Sequence, residues 1–327
     1  MGIPFLNLVH QHGPIAGDLQ NAVRDVFASG VFLGGDQVDA FAEEWAAYCG
    51  QKYCVPCASG TDAISLLAMA SNIVRPGIPA NTTPFTLRGI EKGLDRKRSI
   101  LFPSEAPALQ THFVDVNDAG WPVTWENNTI PVLLYGRQLL PPAYPPNFID
   151  ACQAHGWKPA KNFNVCWSFY PSKNLGSFGD AGAVTTDDWA TFLTARRGAE
   201  LWHSRMSEIN AAVLRVKLKH LDLWNAQRHA IAEIYYNELP EQVKPACSPG
   251  WPTNHHIFAI LTDRRESLIT HLKEWGIGTK THYDQPLANL PGALRWCDTT
   301  LSLPCYPGLT PEQVQTVCDT IRSFYQG

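Results

Sequence analysis

Short apolar runs alternate with amphipathic helical patterns along most of the chain, which leaves few folds open to it. The runs "KYCVPC", "HFVDV", "TIPVLLYG" and "NFIDACQA" have the length of buried strands and end near turn residues. The segments "VDAFAEEWAAYC" and "TDAISLLAMA" repeat apolar residues at helical spacing. Such alternation is typical of a mostly parallel sheet covered by helices, so the sequence predicts an α/β fold.

The length of 327 residues exceeds that of a usual single core and predicts two domains. We expect a large domain over residues 1–225, including the amino-terminal segment, and a smaller carboxyl-terminal α+β domain over residues 226–327. The stretch from 196 to about 238 is helical in period, and we expect a long helix there that bridges the two domains. Proline and cysteine in "PEQVKPACSPGWP" mark a soft segment soon after it.

The charge pattern argues against several classes of partner. Charged residues make up 17% of the chain, the formal net charge is −4, and Lys and Arg are scattered, so no nucleic-acid partner is expected. The first residues lack a basic segment followed by an apolar one, and no apolar run is long enough to span a bilayer. We therefore expect a cytoplasmic protein without a membrane partner that binds a small molecule.

Nine cysteines, an odd number in a long chain, favour reduced thiols over a disulfide framework. The pattern "CVPC" at Cys54 and Cys57 is compatible with a redox or zinc site, but no second Cys or His pair stands at a suitable spacing. The sequence therefore favours structural thiols here and predicts no metal.

Prolines interrupt the connection between "PVLLYG" and "NFIDACQA". Proline lacks the amide donor of a helix and clashes with the preceding turn, whereas a parallel crossover usually contains a helix. We expect this connection, which includes Pro141, Pro142, Pro145 and Pro146, to cross as an extended loop.

One lysine stands in an unusual context, in "SFYPSKNLGSFGDAGAV" from Ser168 to Val184. Pro171 and the following glycines hold Lys173 on a constrained segment where backbone can approach a ligand. Alone, this lysine is compatible with a solvated surface cation. The alternative is a lysine whose amine attacks a carbonyl group and forms a Schiff base.

Three further features favour the second reading. "SGTDAI" puts small and hydroxyl residues at the start of a helix, which suits either phosphate binding or a simple cap by Thr61 or Asp62. Asp150 ends a predicted strand, where α/β sheets present ligand-binding groups or cap a turn. Ser168 offers a hydroxyl close to Lys173 in sequence. Together these are the groups that hold pyridoxal phosphate, whose ring nitrogen needs a carboxylate partner.

The motifs "SGTDAI", "PVLLYG", "IDACQAHG", "SFYPSKNLGSFGDAGAV", "AAVLRVKLKHLD" and "GIGTKTHY" resemble, in this order, the DegT/DnrJ/EryC1/StrS family of sugar aminotransferases. The resemblance covers nearly the whole chain. It implies the three-layer fold type I of pyridoxal-phosphate enzymes, a homodimer with shared active sites, and transfer of an amino group from glutamate to a nucleotide-linked keto sugar. "FYPSKNLGSFGD" most resembles the subgroup that acts on dTDP-3-keto-6-deoxyhexoses.

The resemblance also implies roles for individual residues. Lys173 forms the Schiff base with the cofactor and moves protons during the reaction. Asp150 binds the pyridine nitrogen, and Gln153 lies near the phenolic oxygen of the ring. Gly60, Thr61 and Ser168 hold the phosphate.

The chain departs from the family pattern at several positions. His203 stands where relatives have an asparagine that reaches the phosphate in the neighbouring subunit. An imidazole can also donate a hydrogen bond to phosphate, so the contact either persists with some pH dependence or is lost. Thr83 replaces an aromatic residue expected over the ring, and Phe85 is a possible substitute. The chain is shorter than most relatives around residues 72–79, 117–129, 137–147 and 156–163.

Other functions remain open on sequence grounds. A non-catalytic or sensory member of the family is compatible with the shortened loops. Relatives that act on UDP- or GDP-linked 4-keto sugars or on cyclitols share much of the motif set. A dehydratase of the family would have histidine at position 173, and "GSFGDAG" matches neither common nucleotide-binding loop.

Overall fold

The computed structural model describes residues 2–71, 80–82, 111–113, 116, 129–138 and 148–327 of the chain. Helices and strands alternate in its first half, and helices dominate its second half. The helices are α1 (Leu8–His12), α2 (Ala16–Ser29), α3 (Asp36–Cys49), α4 (Gly60–Ala70), α5 (Trp189–Leu201), α6 (Glu208–Leu218), α7 (Leu221–Glu238), α8 (Arg265–Glu274), α9 (Pro291–Thr299) and α10 (Pro311–Gln326). The strands are β1 (Tyr53–Cys57), β2 (Ala80–Thr82), β3 (Thr111–Phe113), β4 (Thr129–Ile130), β5 (Ile149–Asp150), β6 (Val165–Ser168), β7 (Gly182–Thr186), β8 (Lys244–Pro245), β9 (Phe258–Leu261) and β10 (Thr300–Leu303).

The strands of the first half form one mostly parallel sheet. A ladder in the order β1-β7-β6-β5 and a second in the order β3-β2-β4 are joined by a parallel bridge between Val132 and Asp150. β7 runs antiparallel to both of its neighbours, and the other pairs are parallel. The predicted α/β class with a mostly parallel central sheet is confirmed.

Helices cover both faces of this sheet, because its strands are apolar on both sides. In β1, Cys54 points into a core formed with α3 and α6, and Cys57 points into a core formed with α4 and α5. Successive strand residues face opposite sides, so both cysteines of "CVPC" are buried packing groups. The result is three layers, with α2 packed outside α6.

The carboxyl-terminal domain is built on a three-stranded antiparallel sheet in the order β10-β9-β8. One face packs against α7, α8 and α10 through a core that includes Tyr235, Leu272 and Val317. The other face packs against α9 and against Tyr135 of the large domain. β8 and β9 are consecutive, and α8 and α9 lie between β9 and β10, so an antiparallel sheet with helices packed on it makes up this part of the chain.

The prediction of one long helix from 196 to about 238 is wrong, because this stretch is divided among three helices. α5 ends at Leu201, α6 begins at Glu208, and the chain leaves α6 at Lys219 and enters α7 after His220. α7 nevertheless spans both cores: Leu221 packs in the large-domain core, and Tyr235 packs in the carboxyl-terminal core. Ile3 also packs in the carboxyl-terminal core and pairs with Ile277, although the predicted boundary assigns it to the large domain. The boundary between residues 225 and 226 stays a prediction.

The predicted extended crossover lies in residues 139–147, outside the described part of the chain. Among the described helices, none combines the length and the apolar character that crossing a lipid bilayer demands.

Candidate active site

The turn between β1 and α4 lies directly against the end of β6. A Cβ atom built on Gly60 would be 2.6 Å from Cβ of Ser168 and 3.0 Å from its Oγ, so only glycine allows this approach. Ser59 caps α4 by accepting a hydrogen bond from the amide of Asp62 at 3.1 Å. The amides of Gly60 and Thr61 precede the first intrahelical bonds and have no acceptor within the helix. They form an anion-binding end beside the hydroxyl of Ser168.

Lys173 lies on a closed loop that begins where β6 ends. Its amide donates to the carbonyl of Tyr170 at 2.8 Å, and the loop closes where the amide and hydroxyl of Ser177 both donate to the carbonyl of Phe169. The buried ammonium of Lys217 on α6 donates to the carbonyl of Gly176 at 2.6 Å. These contacts hold the backbone of Lys173 at the same edge of the sheet as Ser168.

Asp150 ends β5, the strand next to β6, and its side chain is buried. The amide of Cys152 donates to its Oδ1 at 3.0 Å. The thiols of Cys152 and Cys166 lie within 4.8 Å of an Asp150 oxygen and of each other. Burial raises the pKa of the Cys166 thiol well above its ordinary value. A protonated thiol is a poor metal ligand, so this trio fits a packed carboxylate better than a metal centre.

The amide side chain of Gln153 is oriented by a backbone group. Its Oε1 accepts from the amide of Tyr135 at 2.6 Å, and its Nε2 donates to the hydroxyl of Tyr283 at 3.2 Å. A backbone N–H is only a donor, so it fixes which end of the amide is oxygen. Tyr135 takes up a left-handed backbone conformation, with φ of 61°, to present this amide. The NH2 group of Gln153 therefore points away from Tyr135 toward the carboxyl-terminal domain.

His203 is exposed and has φ of 53°, a conformation that favours glycine and asparagine over other residues. The next residue, Ser204, is buried against the start of α4. Its hydroxyl accepts from the amide of Ala58 at 3.1 Å and donates to Asp62 at 2.8 Å. His203 thus lies on the surface beside the turn that carries Gly60, and its side chain is exposed.

The ionisation of Lys173 follows from these surroundings. Burial lowers the pKa of its ammonium below the ordinary lysine value, and the nearby cation of Lys280 acts in the same direction. The thiol of Cys152 and the carboxylate of Asp150 oppose this shift. Lys173 and Asp150 are therefore electrostatic neighbours. A lowered pKa increases the fraction of neutral amine, which is the nucleophilic form.

Acid should destabilise the apoprotein through histidines that are buried in the neutral form. Burial, with a smaller effect of Lys173, lowers the pKa of His155 to about 3, while an unfolded histidine titrates near about 6.5. Between these values the unfolded chain binds more protons, so the free energy of unfolding falls as pH falls. We expect His155 alone to contribute a loss on the order of 2 kcal/mol between pH 7 and pH 5.

Urea unfolding of the apoprotein at pH 7 and pH 5 measures this effect. The variant His155→Gln should show a smaller loss over the same interval, because its side chain does not titrate. Equal losses in the variant and the natural chain would contradict the assignment to His155.

The structure brings most of the predicted residues together at one edge of the sheet. Gly60, Thr61 and Ser168 lie at the β1–α4 turn, and Asp150 and Lys173 lie at neighbouring strand ends. Gln153 follows Asp150, and His203 lies on the surface nearby. Thr83 and Phe85, considered as residues over the ring, are outside the described residues.

Sequence analysis did not assign Tyr135 or Tyr283 to the site, although both belong to quoted motifs, "PVLLYG" and "GIGTKTHY". The pair Tyr135-Gly136, with φ of 61° and 90°, makes a turn that apolar periodicity does not reveal. The contacts with Gln153, and the packing of Tyr283 against the core that contains Tyr135, show that these two tyrosines belong together.

The residues present fit pyridoxal phosphate. The space that a Cβ on Gly60 would fill, the free amides of α4 and the Ser168 hydroxyl suit a phosphate. A buried carboxylate and a lysine with a lowered pKa lie beside each other at the same sheet edge. On a three-layer sheet of this topology, such a site defines a pyridoxal-phosphate enzyme of fold type I.

Comparison with known proteins specifies the family. The model of the DegT/DnrJ/EryC1/StrS aminotransferase family matches residues 14–88 and 147–322, and the chain belongs to this family. The predictions of an aminotransferase and of pyridoxal phosphate as its cofactor are confirmed.

Two curated proteins and one crystal structure illustrate the similarity. The erythromycin biosynthesis sensory transduction protein EryC1 of Saccharopolyspora erythraea is 31% identical, over 99% of this chain and 100% of that protein. A dTDP-3-amino-3,4,6-trideoxy-alpha-D-glucose transaminase of Streptomyces venezuelae is 32% identical, over 98% of this chain and 96% of that protein. The crystal structure of S. venezuelae DesV in complex with a ketimine intermediate superposes with a TM-score of 0.85 at 27% identity, covering 100% and 99% of the two chains.

Proposed function

We propose that this aminotransferase moves an amino group from glutamate to a nucleotide-linked keto sugar, and that the sugar is a dTDP-3-keto-6-deoxyhexose. The observation that carries the proposal is the grouping of Lys173, Asp150 and the α4 amino terminus in a chain 32% identical to a transaminase whose name specifies a dTDP-3-amino sugar. The motif "FYPSKNLGSFGD" around Lys173 supports the same subgroup.

Each residue has a defined task in this proposal. Bound pyridoxal phosphate supplies an aldehyde carbon that carries the amino group and a ring that stabilises negative charge. The amides of Gly60 and Thr61 and the hydroxyl of Ser168 would bind the phosphate. The carboxylate of Asp150 would hold a proton on the ring nitrogen, and the NH2 group of Gln153 would donate to the phenolic oxygen.

Lys173 performs the proton transfers. Its Nζ would hold the cofactor before glutamate binds, and the neutral amine would then accept the proton that leaves Cα of glutamate. The same Nζ would return a proton when the keto carbon of the second substrate receives nitrogen. The lowered pKa of Lys173 favours this use of the amine as a base near neutral pH.

A spectrum of the purified protein tests the proposal. We expect a yellow protein that loses its visible absorbance with glutamate and regains it with one keto sugar. The panel contains a dTDP-3-keto-6-deoxyhexose, UDP- and GDP-linked 4-keto sugars and a keto cyclitol. Recovery with a different member of the panel would identify that compound as the substrate instead. A colourless protein that binds no pyridoxal phosphate would contradict the proposal.

A sensory role is the second candidate, because the name of one relative 31% identical to this chain describes sensory transduction. The glutamate reaction distinguishes the two functions. A sensor that binds pyridoxal phosphate without catalysis would stay yellow when glutamate is added.

We also propose a homodimer in which His203 of each subunit binds the phosphate in the other. Its exposed position and left-handed backbone support a role outside its own subunit. We expect His203→Ala to weaken cofactor binding about tenfold, since it removes a hydrogen bond to a charged group, and His203→Asn to restore most of it. Titration of the apoproteins with pyridoxal phosphate measures the affinities.

Mixed dimers test whether the contact crosses the interface. Subunits carrying Lys173→Ala keep His203 and can complete the site of a His203→Ala subunit. The mixture should therefore show yellow sites of natural affinity. If His203 acts within its own subunit, the mixture will show only weak yellow sites.

A further inference from the structure

A set of buried and half-buried side chains joins the loop that carries Lys173 to the carboxyl-terminal domain; we call it the Asn–His cluster. Its members are Asn174, Asn225, Asn254 and His256. The Nδ2 of Asn174 donates to Oδ1 of Asn225 at 2.8 Å and to the carbonyl of Asn254 at 3.3 Å. The Oδ1 of Asn174 contacts Nδ1 of His256 at 2.9 Å. Asn174, which directly follows Lys173, is fully buried.

The hydrogen-bond pattern fixes the tautomer of His256. The carbonyl of Asn254 can only accept, so the NH2 group of Asn174 must face it and the oxygen of Asn174 must face His256. An amide oxygen is also only an acceptor, so Nδ1 of His256 carries the hydrogen. His256 is thus a donor to Asn174.

The same cluster also contacts the segment that follows Asp150. The Nδ2 of Asn254 donates to the carbonyl of Gln153 at 3.0 Å and to that of His155 at 2.9 Å. Its Oδ1 accepts from the amide of His256 at 2.9 Å. The Nδ2 of Asn225 donates to the carbonyl of His155 at 2.9 Å. The cluster therefore connects the Lys173 loop, the segment after Asp150, α7 and the start of β9.

We propose that His256 is a positioning residue for the amination reaction, and that it acts by donating the hydrogen on Nδ1 to Asn174 and so fixing the backbone from which Lys173 extends. This inference rests on the proposed role of Lys173. A proton-transferring amine loses rate steeply when it is displaced, because transfer needs donor and acceptor within hydrogen-bonding distance. His256 belongs to the carboxyl-terminal domain, so it also ties the position of Lys173 to that domain.

Charge considerations agree with a neutral imidazole. Burial lowers the pKa of His256 well below its ordinary value, and the cations of Lys173 and Arg228 lower it further. A neutral ring adds no positive charge beside Lys173, while its Nδ1 hydrogen remains available to Asn174.

Two substitutions distinguish the roles of the two ring nitrogens of His256. The side-chain amide nitrogen of His256→Asn can take the place of Nδ1, and that of His256→Gln can take the place of Nε2. His255, the adjacent histidine, is buried, whereas His256 is half-buried, and His255 contacts His229 instead of the Lys173 loop. His255→Asn and His255→Gln are therefore matched controls.

The measurements are the rate at which glutamate bleaches the yellow holoenzyme and the affinity of each apoprotein for pyridoxal phosphate. We expect His256→Gln to slow bleaching about tenfold, because one buried hydrogen bond is lost, while cofactor affinity changes less than about threefold. His256→Asn should stay within about twofold of the natural rate, as should both His255 variants.

Several outcomes would overturn the inference. Equal slowing by both His256 variants would show that ring volume matters, and slowing by His256→Asn alone would assign the effect to Nε2. No slowing by either would show that the contact is dispensable. If His256→Gln does not fold, Asn225→Ala is the alternative variant, because it removes a hydrogen bond from the same side-chain amide of Asn174. It should slow bleaching about threefold. An unchanged rate would count against the proposal. A colourless natural protein is a separate result, because it refutes the role of Lys173 itself.

Discussion

Replacing Lys173 with alanine is expected to reduce turnover by at least about 10⁴-fold and to remove the yellow colour of the purified protein. The loss has two causes, since the amine is both the attachment point of the cofactor and the group that moves protons. The loop itself should survive, because its closure depends on the carbonyl of Phe169 and on Lys217, whose contacts do not involve the Lys173 side chain. Steady-state turnover and a visible spectrum measure the two effects.

Lys219→Ala provides the matched control, because Lys219 is an exposed lysine on the surface after α6. It should keep both the colour and the turnover of the natural chain. Retention of colour and activity by the Lys173 variant would show that another amine holds the cofactor. The proposed site would then be wrong.

Exchanging Asp150 for asparagine is expected to lower turnover by about 10²- to 10³-fold while leaving the protein yellow. Asparagine keeps the size of the side chain and the oxygen that accepts from Cys152, but it lacks the charge that holds a proton on the ring nitrogen. Removing one partner of a buried charged pair costs about 3 to 5 kcal/mol, which corresponds to this range of rates. Bleaching by glutamate, followed in a stopped-flow instrument, measures the change.

Asp222→Asn is the control for this exchange, since Asp222 is an exposed carboxylate that contacts Tyr48. Its turnover should equal that of the natural chain. The combination of retained colour and lost rate distinguishes Asp150 from Lys173. A variant at position 150 with natural rates would exclude a role of this carboxylate at the ring.

The order of the elements could be predicted from sequence because the physical signals are local. The apolar run in "KYCVPC" gives β1, and the small residues of "SGTDAI" give the start of α4. The break between α6 and α7 gave no such signal, since no proline or glycine marks Lys219 and His220. Leu214 of α6 and Leu221 of α7 pack in the same large-domain core, and α7 then continues to Tyr235 in the carboxyl-terminal core, so the break is a tertiary effect.

The residues proposed to contact the cofactor were easier to anticipate than the residues that position them. Lys173 and Asp150 stand out because a charge is unusual beside buried strands. The orientation of Gln153, by contrast, depends on a backbone amide of Tyr135 and on a hydroxyl of Tyr283 from another domain. The polar partners of Asn174 likewise come from two distant segments, Asn225 on α7 and residues 254–256 before β9. No local pattern connects such positions before the chain is folded.

The pairing of Ile3 with Ile277 affects how the chain is made. The amide of Ile3 donates to the carbonyl of Gly276 at 2.8 Å, and its carbonyl accepts from the amide of Gly278 at 2.7 Å. During translation the segment around Ile3 cannot make this pairing until the chain through Gly278 has left the ribosome. The carboxyl-terminal core therefore joins segments far apart in sequence, and its complete assembly depends on both being available.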